Sequence, residues 1–210
     1  MQVTLQSHAT RKERADATRE AILCEAEHVF AFVGFQAARL EDIADAVGIR
    51  RPSLLHHFTT KKKLYDAVEQ RIFDDMSAAS AARTAETGDC TAKLLAHLDA
   101  WLDFFVERPS AARILQRLVA DTAVRQGNPV EFSYVVLDDM ERTLACGINE
   151  GVFRPISTMM FINAVAGGIL FYICNSSQVG ERRNYEPSNP ADLGQFRSLL
   201  HKLARTAVLD

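Results

Sequence analysis

Apolar residues recur at intervals of three and four along almost the whole 210-residue chain, and no stretch holds the two-residue alternation of a strand. That spacing points to an all-α fold, because a helix gathers such positions on one face. Glycine and proline divide the pattern. Ile22, Ala26, Val29, Phe30 and Val33 form the stripe of a first helix, behind a polar arm of about 15 residues and ahead of Gly34. Leu40, Ile43, Ala44 and Val47 mark a short second helix. Gly48 tolerates positive φ, and Pro52 opens a third short helix with Leu54 and Phe58 inward. A long helix starts at Lys61, and Asp89, Pro109, Pro129, Ile156 and Pro190 start the others, about nine in total.

With 48% hydrophobic and 24% charged residues, the chain can bury a core without disulfides. Its four cysteines, Cys24, Cys90, Cys146 and Cys174, lie far apart, with no Cys-x-x-Cys pair and no histidine at zinc-ligand spacing. They are expected as reduced thiols, with no metal and no cofactor. The N-terminus lacks the apolar core of a signal peptide. Met159 to Cys174 is apolar, but shorter than the roughly 20 residues of a membrane span. A cytoplasmic protein with no membrane partner is the expectation.

The net charge of -3 hides an uneven distribution. Residues 1–65 carry 10 Lys and Arg against 8 Asp and Glu, while residues 66–210 carry 14 against 19. A domain boundary between 65 and 66 fits this division. From Val47 to Lys63 there is no acid, and Arg50, Arg51, Lys61, Lys62 and Lys63 surround His56 and His57. Arg39 begins the second helix, Arg50 and Arg51 the third, and the three lysines the fourth. Helix N-termini favour Ser, Thr, Asp or Asn as caps and acids in the first turn, so each cation there costs about 0.3 to 1 kcal/mol. A phosphate relieves that cost by pairing with the cation and the unpaired amides together. Two short helices joined by a glycine turn are also the arrangement that sets its second helix in the major groove. Both features point to double-stranded DNA. Positions 51, 52, 55 and 56 share a helical face opposite Leu54 and Phe58, so Arg51, Pro52, Ser53, Leu55 and His56 are the groove-facing candidates.

Ile22-Leu23, Phe30, Gly34-Phe35, Asp42-Ile43-Ala44, Val47-Gly48-Ile49 and Ser53-Leu54-Leu55-His56-His57-Phe58, with Lys61 and Leu64, resemble the DNA-binding domain of TetR/AcrR-type transcriptional regulators. The resemblance covers about Arg19 to Asp66. It implies an N-terminal helix-turn-helix domain followed by a helical ligand-binding and dimerisation domain. It further implies a homodimer that binds a palindromic operator, usually as a repressor released by a small effector, with His57 and Lys61 holding the DNA backbone. Two residues depart from the family pattern: Leu55 replaces the usual tyrosine and Arg50 the usual Ser or Thr. Leu55 suits a thymine methyl, and Arg50 or Arg51 suits phosphate or guanine. The departures leave a helical ligand-binding or adaptor protein as the alternative.

The helix from Ile156 is apolar nearly all round and needs cover on two sides. Ala164, Gly167 and Gly168 allow close approach, and the last helix offers Phe196, Leu199, Leu200 and Leu203. The resemblance places these helices in a dimer bundle. His97, Trp101, Phe104, Phe105, Met140, Phe161, Asn163, Phe171, Tyr172 and Asn175 are candidates for a pocket that takes a mainly apolar small-molecule effector. Glu25-Ala26-Glu27-His28 contains one Glu-x-x-His unit, where di-iron chemistry needs two and further glutamates, so no enzyme is expected.

Overall fold

The computed structural model describes residues 10–120, 133–176, 178 and 185–209. These form nine helices: α1 (Arg11–Ala37), α2 (Leu40–Val47), α3 (Arg51–His57), α4 (Lys61–Thr84), α5 (Cys90–Glu107), α6 (Pro109–Ala120), α7 (Tyr134–Asn149), α8 (Thr158–Asn175) and α9 (Pro190–Val208). No strand occurs among the described residues, so the all-α expectation holds. The helix start expected at Pro129 lies outside them. The chain divides into two compact units, Met1–Val68 and Glu69–Asp210, with the division inside α4.

α1 begins earlier than its apolar stripe. The Thr10 side chain accepts from the Glu13 amide at 3.2 Å, and the Glu13 carboxylate accepts from the Thr10 amide at 2.6 Å. This capping box satisfies two amides that a bare helix end leaves open, and it makes the last part of the expected arm, from Arg11, helical. In the N-terminal unit, Ile22, Phe30, Ile43, Leu54 and Leu64 are fully buried. Tyr65 meets Phe30 and Phe35 edge-on, at centroid distances of 4.9 and 5.0 Å. Gly48 closes α2 at φ 76°, where a side chain would be strained, and its amide bonds back to Ala44 and Asp45.

α5 is the centre of the second unit, with Leu94, Leu98 and Leu102 fully buried, and it packs against α6, α7, α8 and α9. An ionic cluster fastens it to α9: the Arg197 guanidinium donates to Asp99 at 2.6 Å and also to Asp103, and His201 lies 2.8 Å from Asp99. α8 is 18 residues long with mean hydropathy 1.5, enough by length and composition for a membrane span. In the unit it is a core helix on one side, with Phe161 and Ile169 buried, while Met160 and Phe171 stand exposed on the other. A π turn, Ile162–Ala166, interrupts its α pitch.

α7 ends where Gly147 meets the ring of Phe153, and Gly151 at φ 69° turns the chain back. Beyond it, Arg154 closes the far end of α9: its side chain donates to the carbonyls of Thr206 and Ala207, and its amide to Val208. A Cβ on Gly147 stands 2.1 Å from Phe153 Cδ2, so the ring has to move. Gly147→Ala is expected to lower the unfolding free energy by about 1 to 3 kcal/mol. Urea denaturation measures this, and an unchanged midpoint excludes the contact.

Candidate functional site

The side chains singled out on α3 divide by burial as helical geometry requires. Leu54 is fully buried and Phe58 nearly so, and the Arg19 guanidinium covers the Phe58 ring at 4.3 Å. Arg51, Pro52, Ser53 and His56 are exposed, whereas Leu55 and His57 are half-buried. The His56 and His57 rings lie 5.9 Å apart, edge to face. Arg39 and Arg50 are exposed N-caps whose side chains make no capping bond. α2 nevertheless has Glu41 and Asp42 in its first turn, so the inverted charge expected at its start is corrected. One of those acids, Glu41, pairs with Arg51 at 3.2 Å across exposed surface.

Lys61 has another task than the DNA-backbone contact expected for it. Its ammonium donates to the carbonyls of Phe35, Gln36 and Ala38, at 2.8, 3.2 and 3.0 Å, and lies 4.7 Å from the Phe35 ring centroid. Three N–H donors meet three acceptors at the C-terminus of α1, a helix with no cation in its own last turn. By chain position Lys61 opens α4, but its charge sits where a helix favours a cation. Lys62 pairs with Asp66, Thr60 accepts from the Lys63 amide at 3.1 Å, and the Lys63 side chain is exposed.

In the second unit, a cavity of about 460 Å³ opens between α4, α5 and α7. Ala81, Thr84, His97, Asp139, Arg142 and Thr143 contribute to its walls, with Lys93, Cys90 and Cys146. Of the ten pocket candidates, His97 lines this cavity. Trp101, Phe105, Met140 and Phe161 are core residues, and the Trp101 indole donates to Ser80 at 3.0 Å. Tyr172 is stacked between Phe196 and Tyr185, at 4.0 and 4.9 Å. Phe104 and Asn175 are half-buried, and Asn163 and Phe171 are exposed. Trp101, Phe105, Met140 and Phe161 thus pack against protein, and this cavity, with walls that mix charged, polar and apolar groups, takes His97 alone of the ten candidates.

The dimer candidates also divide. Ala164, Gly168, Leu199 and Leu203 are exposed and Gly167 half-buried, but Leu200 is core at 2% exposure. Phe196 faces Tyr172 of its own chain, and a Cβ on Gly168 would lie 4.0 Å from the Phe196 ring. That is ordinary contact, so α9 of the same chain does not need the glycine, and exposed Gly168 stays a candidate for the close approach of a second copy.

His97 Nε2 lies 3.1 Å from Thr143 Oγ1, while the buried Nδ1 has no partner. Burial holds the imidazole below its ordinary pKa; Asp139 opposes that shift and Arg142 adds to it. Cys90 and Cys146, expected as reduced thiols far apart in sequence, meet at 3.0 Å. Each also bonds to Glu150, at 3.2 and 3.3 Å. The Cys146 contact, burial and Glu150 push the Cys90 thiol up to about 12.

Two short helices about Gly48, the second anchored by Leu54 and open on its other face, define a helix-turn-helix domain of the DNA-binding class. Residues 22–68 match the family described as bacterial regulatory proteins, tetR family. The chain is 33% identical over 100 residues to the HTH-type transcriptional activator FasR of Mycolicibacterium smegmatis, a match covering 48% of this chain and 46% of FasR. It thus spans about half of that relative's length. It is 29% identical to the HTH-type transcriptional repressor KstR2 of Mycobacterium tuberculosis, over 68% of this chain and 72% of that protein. A crystal structure of a TetR family transcription regulator from Marinobacter aquaeolei has the same fold, with TM-score 0.77 and 19% identity over 95% of this chain and 99% of the other. Residues 22–68 thus carry a tetR-type helix-turn-helix domain, and the relatives that the chain resembles are named as transcriptional regulators.

Lys61→Ala is expected to destabilise the protein by about 1 to 2 kcal/mol in urea denaturation, since a cation bonded to helix-end carbonyls is lost. The salt dependence of DNA binding by the folded variant should remain as in the parent; a flatter dependence would return Lys61 to the phosphate contacts. His97 generates a pH dependence. The unfolded imidazole takes a proton that the folded one resists, so stability is lost as pH falls below about 6.5. Urea titrations between about pH 8 and 5 should show a shallower acid limb for His97→Gln, and equal limbs exclude His97 as the source.

Proposed function

We propose that the protein is a repressor that binds a palindromic operator as a homodimer and releases it when a small effector occupies the α4–α5–α7 cavity. The observation that carries the DNA reading is the exposed face of α3. Arg51, Pro52, Ser53 and His56 stand clear of the core, and Leu54 on the opposite side fixes the helix beneath them. Bidentate arginine reads guanine in the major groove, and Arg51 is the side chain suited to it once Glu41 releases it. Arg50 and Arg39, exposed at neighbouring helix starts, suit phosphate. His57 stays with the backbone contacts, and half-buried Leu55 suits a thymine methyl at the edge of the groove.

Support for the homodimer is an uncovered apolar strip on α8 and α9, where Met160, Phe171, Leu199 and Leu203 are 70, 61, 52 and 47% exposed. Such a strip suits self-association, and two-fold pairing sets the recognition helices about 34 to 36 Å apart for successive major grooves. Ala164 and Gly168 lie exposed on the same helix and let a second copy come near. The effector assigned to the cavity is more polar than the aromatic candidates suggested: Lys93 and Arg142 suit an anionic group, and His97 Nδ1 supplies an unfilled hydrogen-bonding position.

Selection of genomic fragments by the purified protein at moderate salt tests the DNA claim, with an inverted repeat as the expected product. Recovery of no common site overturns it and favours the ligand-binding or adaptor alternative. Arg51→Ala should cost about 1 to 3 kcal/mol and relax preference at one base pair of each half-site. For the dimer, the double variant Phe171→Glu, Leu203→Glu should be monomeric by light scattering; a persistent dimer places the interface elsewhere.

A further inference from the structure

We infer that Cys90, Cys146 and Glu150 form a binding site for a soft divalent cation of the zinc class. The three residues come from two helix ends. Cys90 opens α5 behind the Asp89 cap, Cys146 lies in the last turn of α7, and Glu150 caps that helix four residues further on. Their ligand atoms all lie within 4.8 Å of one another. The two carboxylate oxygens take one thiol each, so three donors converge on one point, with only thiol protons to separate them.

Two sulfurs and one carboxylate oxygen suit zinc and its neighbours better than magnesium or calcium, which prefer oxygen alone. Binding exchanges two thiol protons for one dication: two S–H bonds break, two metal–sulfur bonds form, and two protons leave to solvent, with no change of oxidation state. Two thiolates at about 2.3 Å from a tetrahedral zinc stand about 3.8 Å apart. The sulfurs at 3.0 Å must therefore open by under an ångström, a side-chain adjustment. Cys90 is buried, Cys146 half-buried and Glu150 exposed, which gives the cation a route from solvent along the carboxylate.

Three protein ligands leave a fourth position, the open type of zinc site. Cys90 and Cys146 belong to the cavity wall, so that position is available to water or to a donor atom of a molecule held there. An independent feature of the same wall calls for a ligand. His97 is 95% buried, and its Nδ1 has no partner. It lies seven residues along α5 from Cys90, about 10 Å of helix rise, too far to join the metal but within span of a small molecule bound to it. The cation site does not depend on the DNA reading.

Cobalt(II) titration of the full chain, reduced with a phosphine and freed of metal, tests the site. One cobalt per chain is expected, with near-ultraviolet thiolate-to-cobalt charge transfer, displacement by zinc and release of two protons in weak buffer. Cys90→Ser and Cys146→Ser should each remove most of the charge transfer, and Glu150→Gln, a change of near-equal size at an exposed residue, should weaken binding by about tenfold or more. The variant Cys24→Ser, Cys174→Ser should keep the full signal. Absence of the band in the reduced protein overturns the site, as does a band that survives Cys146→Ser. Peroxide-driven formation of a Cys90–Cys146 disulfide in a protein that takes up no cobalt also overturns it, and assigns the pair to redox chemistry.

Discussion

Three carbonyl oxygens at the end of α1 have no amide left to meet them, and the ammonium of Lys61 answers all three. Much of the N-terminal unit follows from that bond set. It ties the end of the first helix to the start of the fourth, so the two short helices between them run over a closed frame. Within that frame Leu54 and Phe58 are buried, and Phe30, Phe35 and Tyr65 pack edge-on in the same unit. The outer face of α3 is what remains. Its order comes from the core behind it, because a seven-residue helix has little stability of its own in water. Arg154 repeats the device at the end of α9, again with a cation from a distant part of the chain.

The helical class, the glycine turn at Gly48 and the inward pair Leu54 and Phe58 were legible in the sequence because each follows from local rules of period and torsion. The start of α1 was equally legible in Thr10 and Glu13, but an apolar stripe beginning at Ile22 draws attention away from a cap made wholly of polar groups. Lys61 is the instructive failure. A cation in the first turn of a helix counts as misplaced only while the chain is treated as a line; in space its charge belongs to the opposite end of another helix.

The second unit yields less to sequence, for a physical reason. Aromatic residues at helical spacing fill cores and line pockets with the same pattern, and in this chain Trp101, Phe105, Met140 and Phe161 fill the core. The cavity between α4, α5 and α7 has Lys93, His97, Asp139, Arg142 and Thr143 among its walls, residues that a periodicity count assigns to solvent. Cys90 and Cys146 lie 56 positions apart and come together only through the packing of α5 on α7. Metal-ligand spacing rules address ligands close in sequence, so this pair lay beyond their reach.

The π turn in α8 has a consequence for how the unit divides inside from outside. A turn of that kind holds one residue more than an α turn, and each residue of an α-helix advances the side chains by about 100°. Everything after Ala166 is thereby set in phase with the core: Ile169 and Ile173 point in and Phe171 points out. Relaxing Ile162–Ala166 to α pitch would rotate that second half as a rigid screw, carrying Phe171 off the open face and bringing a core isoleucine toward it. The helix thus contains a local phase setting, held by the backbone of five residues, that decides which side chains enter the core and which stay exposed.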